Sequence, residues 1–286
     1  MADQPTVART RAALSKVLAP WRRAGQPHAL VPTMGALHDG HLGLVRQARE
    51  HCPKVVVSIF INPAQFAPAE DLAHYPRDEA GDFAKLASVG CDLIWAPGTG
   101  EMYPPGFATR IMPEGAALGL EADFRPQFFT GVATVCCKLF TQVAPALAVF
   151  GEKDYQQLCV VRQLVRDLDL PLGILGAPTV READGLAMSS RNRYLSPEQR
   201  RNAPLLHASL TAAALQIEAG GGLEAACGQA RSALKAGGFK VDYVAVRDAA
   251  TLATVAAAET RPLRILAAAW LGGTRLIDNL AVPPTR

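Results

Sequence analysis

A recurring alternation of short apolar runs with longer helical segments constrains this chain more than any other feature. Residues 29–31, 42–51, 55–61, 78–89 and 93–96 read in turn as strand, helix, strand, helix and strand, the βαβ rhythm of a parallel sheet. Residues 130–143 read as a helix, 147–150 as a strand, 155–167 as a helix and 172–175 as a strand, so the doubly wound pattern runs to about Ala177. Ahead of it, residues 6–25 place Val7, Leu14, Val17, Leu18 and Trp21 near helical spacing and read as one amphipathic helix stopped by Gly25. Beyond Thr179 the rhythm changes to alanine-rich helices over 204–218 and 223–236, a Gly220-Gly221-Gly222 linker, and strands over 241–246 and 263–271. The expected fold is α/β, a doubly wound, Rossmann-like parallel sheet over residues 1–178 with a smaller C-terminal α+β domain over 179–286.

Composition narrows the partners. A formal charge of +3 without long Lys/Arg runs gives little basis for the dense phosphate contacts of a nucleic-acid binder, so a small anionic molecule is the expected ligand. No stretch approaches the roughly 20 apolar residues that span a bilayer, and the first twenty residues are too polar for a signal peptide. A cytoplasmic location follows as the expectation. Six cysteines without a C-x-x-C pair read as buried thiols.

In doubly wound sheets ligands bind beyond the carboxyl ends of the strands, and three unusual stretches lie there. After the strand ending near Val31 comes Pro32-Thr33-Met34-Gly35-Ala36-Leu37-His38-Asp39-Gly40-His41. A helix beginning near His41 would offer free N–H groups and a positive dipole end to phosphate, and the two imidazoles could donate to oxygens on which charge develops. A lone histidine is by default a satisfied surface or core residue; strand, two histidines, glycine and helix together favour function. A zinc centre is the rival reading, but histidines at i and i+3 with no clear third ligand nearby suit it poorly.

Asn62-Pro63-Ala64-Gln65 follows the next strand, and its two amides suit a ligand bearing hydroxyls and a carboxylate, although Asn-Pro is also an ordinary turn signal. Gly151-Glu152-Lys153-Asp154 follows a third strand. There Lys153 is a natural phosphate counter-charge, and Asp154 could cap the helix, take a ribose hydroxyl or help hold a metal ion. No Walker A loop is present. A fourth stretch, Asp184-Gly185-Leu186-Ala187-Met188-Ser189-Ser190-Arg191, reads alone as a solvated turn and, beside a phosphate site, as a clamp on a leaving pyrophosphate.

Together these stretches resemble a known family. His38-x-Gly40-His41 looks like the His-x-Gly-His signature of the nucleotidyltransferase superfamily, and Met188-Ser189-Ser190-Arg191 resembles its later Lys-Met-Ser-Lys-Ser-type loop. In order and spacing the four are similar to the pantothenate synthetases, pantoate–β-alanine ligases, over residues 29–195. The resemblance implies ATP-dependent condensation of (R)-pantoate with β-alanine through a pantoyl adenylate, with ATP as co-substrate, Mg²⁺, no nucleic-acid or membrane partner, and a homodimer. It implies catalytic roles for His41, His38 and Lys153. Met34, Gly35, Ala36, Leu37, His38, Asp39, Gly40 and His41 would line the ATP site. Gly151, Glu152, Lys153 and Asp154 would meet ribose and phosphate, and Val180 the adenine. Met188, Ser189, Ser190 and Arg191 would close over the triphosphate, while Gln65 and Gln157, supported by Asn62 and Tyr75, would grip pantoate. No residue is assigned as a metal ligand.

Two positions depart from the family pattern: Phe128 stands where Arg-Pro-x-His-Phe is common, and Ala64 where many relatives have methionine. Other readings are an adenylyltransferase of the same superfamily with a different acceptor, a catalytically silent nucleotide-binding regulator, and an RNA-binding module, the last lacking any basic, aromatic-rich stretch.

Overall fold

The computed structural model describes residues 4–66, 75–256 and 261–282. The chain divides into two compact units. Met1–Pro113, Arg125–Glu152 and Val160–Pro178 form the first; Glu114–Phe124, Lys153–Cys159 and Thr179–Arg286 form the second.

The first unit is built on a parallel sheet of β1 (Thr6–Ala8), β2 (His28–Thr33), β3 (Lys54–Ile59), β4 (Leu93–Trp95), β5 (Leu147–Gly151) and β6 (Gly173–Ala177), in the spatial order β1-β4-β3-β2-β5-β6. Every pairing is parallel. Ala29, Leu30, Val31, Val55, Val56 and Val57 are fully buried, because central strands covered on both faces read as continuous apolar runs. The helices are α1 (Arg11–Arg23), α2 (Asp39–His51), α3 (Glu79–Ser88), the single turn α4 (Thr99–Met102), α6 (Phe128–Val143) and most of α7 (Tyr155–Asp167). Strand order reverses between β2 and β5, which makes the carboxyl ends of these two strands the topological switch point where such sheets bind ligands.

The expected single helix over residues 6–25 is corrected. Thr6–Ala8 pairs in parallel with Leu93–Trp95, and the Thr10 side chain accepts from the Ala13 amide at 3.2 Å as the cap of α1. An extended cap residue stops the helix from growing backward, and β-branched Thr6 and Val7 suit the strand it leaves free.

The second unit contains the short α5 (Glu121–Phe124), the first turn of α7, α8 (Pro197–Asn202), α9 (Leu205–Glu218) and α10 (Leu223–Ala236), with an antiparallel sheet of β7 (Phe239–Asp248), β8 (Leu263–Leu271) and β9 (Thr274–Val282). The Gly220–Gly222 linker joins α9 to α10 and also stops the first of them. Gly220, at φ +87°, donates to the Ile217 carbonyl at 2.9 Å and Gly221 to that of Gln216 at 2.9 Å, closing α9 before α10 starts. β9 went unread in the sequence although Gly272-Gly273 between Leu271 and Thr274 is a two-residue hairpin turn.

Candidate active site

The turn after β2 carries the histidine pair. Helix α2 begins at Asp39, earlier than expected, with His38 as its N-cap in extended conformation. His41, in the first turn of α2, accepts the His38 backbone N–H on Nδ1 at 3.3 Å. A ring nitrogen that accepts carries no proton, so the proton of neutral His41 sits on Nε2, which is thereby a donor. The two rings lie 4.1 Å apart between centroids, and both residues are half-buried. Ahead of them the backbone takes the left-handed region twice in succession, at Gly35 (φ +83°) and Ala36 (φ +50°). The amides of Ala36 and Leu37 do not face open space: they donate to Oδ2 and Oδ1 of Asp82 on α3, each at 2.8 Å. Met34 is half-buried, Asp39 exposed and Gly40 half-buried.

Past β3, Asn62 caps a 3₁₀ turn over Pro63–Gln65. Its amide is fully used within the protein. Nδ2 donates to Gln65 Oε1 (2.8 Å) and to the Gly131 carbonyl (3.1 Å), while Oδ1 accepts from the Tyr103 hydroxyl (2.8 Å) and the Ala64 amide (3.3 Å). Two donors and two lone pairs exhaust an asparagine, so Asn62 orients Gln65 and has no bond left for a ligand. The turn reaches α6 because position 131 is glycine: a Cβ there would collide with the Ala64 carbonyl. Burial drives the Tyr103 phenol well above its ordinary pKa, which keeps it a donor. Arg125 Nη2 donates to the Gln65 carbonyl at 3.1 Å, and its guanidinium lies 3.8 Å from the centroid of the Phe128 ring. The aromatic face at position 128 therefore supports the arginine that holds the Gln65 backbone. Tyr75 packs edge-on against Phe66 at 5.8 Å.

In the second unit Lys153 lies in a 3₁₀ turn, Glu152–Asp154, directly after β5. Asn279 of β9 holds the Lys153 carbonyl through Nδ2 at 2.9 Å and accepts from Arg264 Nε at 2.7 Å. Lys153 Nζ is 3.7 Å from the half-exposed Asp154 carboxylate. Gln156 donates to the carbonyls of Ala116 (3.0 Å) and Gly119 (3.1 Å) and accepts from the Glu121 amide (3.0 Å). Its neighbour Gln157 is half-buried with its amide uncommitted among the described residues. Of the two adjacent glutamines, one builds the fold and the other is available to a ligand.

The serine loop is a tight hairpin. Met188 donates to the Val180 carbonyl at 3.0 Å and Glu182 to that of Leu186 at 2.8 Å, around Gly185 at φ +93°. Arg181 fastens it to β9 through both oxygens of Asp278, at 2.7 and 2.9 Å. Burial pushes the Asp278 carboxyl up, but the His207 ring 3.6 Å away and the two hydrogen bonds from Arg181 outweigh it and hold it below the usual range. Ser189 caps the following turn by accepting from the Arg191 amide at 3.3 Å; Ser190 and Arg191 are half-buried, and Val180 is 39% exposed.

The described residues thus place Met34 to His41, Asn62, Gln65, Tyr75, Gly151 and Glu152 in the first unit, and Lys153, Asp154, Gln157, Val180 and Met188 to Arg191 in the second. Asp82, Tyr103, Arg264 and Asn279 escaped the sequence reading: each supports a site turn from far along the chain, and none sits in a motif; Arg125 opens the Arg-Pro-x-His-Phe pattern, but its hold on the Gln65 carbonyl was not readable there.

Known proteins are similar to this chain over nearly their whole length. The chain is 56% identical over 283 residues to pantothenate synthetase of Rhodopseudomonas palustris (strain BisA53), covering 99% of this chain and 100% of that protein. It is 54% identical to the pantothenate synthetase of Caulobacter vibrioides, over 97% of this chain and 99% of the relative. The crystal structure of pantothenate synthetase from Thermus thermophilus superimposes with a TM-score of 0.91 at 48% identity, covering 98% of this chain and 100% of that one. A pantoate-beta-alanine ligase from Francisella tularensis, complexed with beta-gamma ATP and beta-alanine, does so at 0.80 and 32% identity, over 96% and 97%. The family model described as pantoate-beta-alanine ligase matches residues 6–281. With the histidine turn, the amide turn, the lysine turn and the serine hairpin all inside that match, the chain belongs to the pantoate-beta-alanine ligase family.

Proposed function

We propose that the chain condenses pantoate with β-alanine using ATP. The pantoate carboxylate attacks the α-phosphorus and pyrophosphate leaves; the β-alanine amine then attacks the carbonyl of the bound pantoyl adenylate, forming the amide and releasing AMP. No protein nucleophile is required, so catalysis rests on alignment and charge stabilisation. The observation that carries this reading is the His38–His41 turn at the carboxyl end of β2, where the two imidazoles stand 4.1 Å apart at the first turn of α2.

In this reading His38 and His41 meet the phosphates and Lys153 neutralises their charge. Gly151, Glu152 and Asp154 approach the ribose end, Val180 offers its backbone to the adenine, and Met188, Ser189, Ser190 and Arg191 close over the triphosphate. Gln65 and Gln157 hold pantoate. Because Gln65 Oε1 is taken by Asn62, its Nε2 is the end that meets a substrate oxygen. Mg²⁺ enters with the nucleotide. Among the described residues no three His, Cys, Asp or Glu side chains gather as a metal site, and a cation carried on substrate phosphates with its own waters needs no such cluster. A homodimer is proposed on the resemblance alone, and a cytoplasmic location on the polar first twenty residues and the lack of a long apolar stretch; no helix of the described residues is long and apolar enough to cross a membrane.

Pyrophosphate is expected only when ATP and pantoate are both present, and pantothenate only once β-alanine is added. Transfer of AMP to another acid without pantoate would overturn the substrate, and nucleotide binding without turnover on any acid would favour the regulator.

Tyr103→Phe tests the support of Gln65. Loss of one buried hydrogen bond removes roughly 1 kcal/mol, and the KM for pantoate is expected to rise about three- to tenfold with kcat nearly unchanged. An unaltered KM would show that Asn62 holds Gln65 without the phenol.

A further inference from the structure

Successive backbone N–H groups in a left-handed turn form a concave anion site. Such a turn occurs at Gly35 (φ +83°) and Ala36 (φ +50°), immediately before the histidine pair. A substrate phosphate would be the obvious occupant, yet the protein supplies its own anion. Both oxygens of Asp82 accept from this turn, Oδ2 from Ala36 and Oδ1 from Leu37, each at 2.8 Å. Asp82 is 2% exposed. One turn further along α3, Lys85 Nζ donates to the Leu37 carbonyl at 2.8 Å, so Leu37 is held by both its N–H and its carbonyl. Packing is close: a Cβ on Gly35 would lie 3.1 Å from Asp82 Oδ2 and 3.3 Å from Ile59 Cγ2.

We infer that Asp82 is the positioning residue of the histidine turn. The next residue after Leu37 is the cap His38, whose backbone N–H fixes the His41 ring. Asp82 therefore sets where the His41 imidazole stands, through a backbone that would otherwise relax out of two left-handed residues. The proposal rests on the reading of His41 as a group that acts on the nucleotide.

Asp82→Asn keeps the shape but turns one acceptor into a donor facing an amide N–H. In pantoate-dependent pyrophosphate release its kcat is expected to fall at least about tenfold, while the Kd for a non-hydrolysable ATP analogue moves less than about threefold. Acting through His41, the substitution should cost less than about threefold more in a His41→Ala background, whereas a merely structural loss would multiply with it. Lys85→Met, which keeps the aliphatic stem, is expected to slow the same step about threefold and to be equally masked by His41→Ala. It decides the matter if Asp82→Asn does not fold. An Asp82→Asn enzyme as fast as wild type beside an impaired His41→Ala overturns the inference alone, as do losses that multiply. A fully active His41→Ala overturns the site reading and this inference with it.

Discussion

His41→Ala is expected to slow pantoate-dependent pyrophosphate release by about 10²-fold, the loss typical of one preorganised donor aimed at developing charge. Affinity for ATP should change much less, because Lys153 and the serine hairpin are proposed to hold the phosphates as well. In the neutral ring Nδ1 accepts from the His38 backbone at 3.3 Å, so Nε2 carries the proton that the proposed donor role requires. The same side chain also caps α2, and an alanine removes both functions at once. His41→Gln separates them. Glutamine in the third position of a helix is the ordinary partner in a capping box, so this variant should melt like wild type, yet regain less than about a tenth of the activity, since an amide N–H on a flexible stem does not reproduce the preorganised Nε2 donor. Lys153→Ala is expected to lose at least about tenfold in the same assay by leaving phosphate charge uncompensated. If neither His41→Ala nor Lys153→Ala reaches tenfold, the site is wrongly placed.

How much of this was legible beforehand depended on where the information lies. Strands β2 and β3 could be read because Ala29 to Val31 and Val55 to Val57 are buried on both faces and must be apolar throughout. Helices α7, α10 and strand β8 came out with their observed ends, since Tyr155–Asp167, Leu223–Ala236 and Leu263–Leu271 are each bounded by turn or break residues. β1 was not legible: three residues carry no periodicity, and only Leu93–Trp95, far along the chain, makes them a strand. The site divides in the same way. His38, His41 and Lys153 stand in motifs whose spacing is local, immediately after strands. Asp82 is 46 residues from Ala36 and Asn279 is 126 from Lys153; in sequence the first is one more acidic residue in a first helical turn, and the second lies in a strand that escaped notice. Phe128 showed as a departure from the family pattern, but its role under Arg125 depends on a ring contact that no sequence displays.

The largest stability effect is expected at Arg275 of β9, in the second unit. Its guanidinium donates from Nη1 to Glu121 Oε2 at 2.6 Å and from Nε to Asp242 Oδ2 at 2.8 Å, and Phe124 lies 5.8 Å away. Tyr243 completes the cluster by donating to Glu121 Oε1 at 2.8 Å, its phenol held well above the ordinary pKa by burial and by the Glu121 charge. The side chains of Arg275 and Glu121 are only 13% and 9% exposed, and that of Asp242 only 7%. Arg275→Met would fill the space but leave two buried carboxylates without a counter-charge, a change that costs about 3–5 kcal/mol. At roughly 2–4 °C per kcal/mol for a chain of this size, melting of the second unit should fall by some ~6–20 °C. Arg275→Lys keeps the charge but cannot fork to two carboxylates from separate nitrogens, so it should lie between. The decisive variant is the triple replacement Arg275→Met, Glu121→Gln, Asp242→Asn. It removes every charge while leaving an acceptor for Tyr243, and it is expected to recover more than half of the lost stability, because the penalty belongs to the stranded anions and not to the missing contacts. Should the triple variant melt no higher than Arg275→Met, packing of the arginine stem against Phe124 would be what holds this end of the sheet.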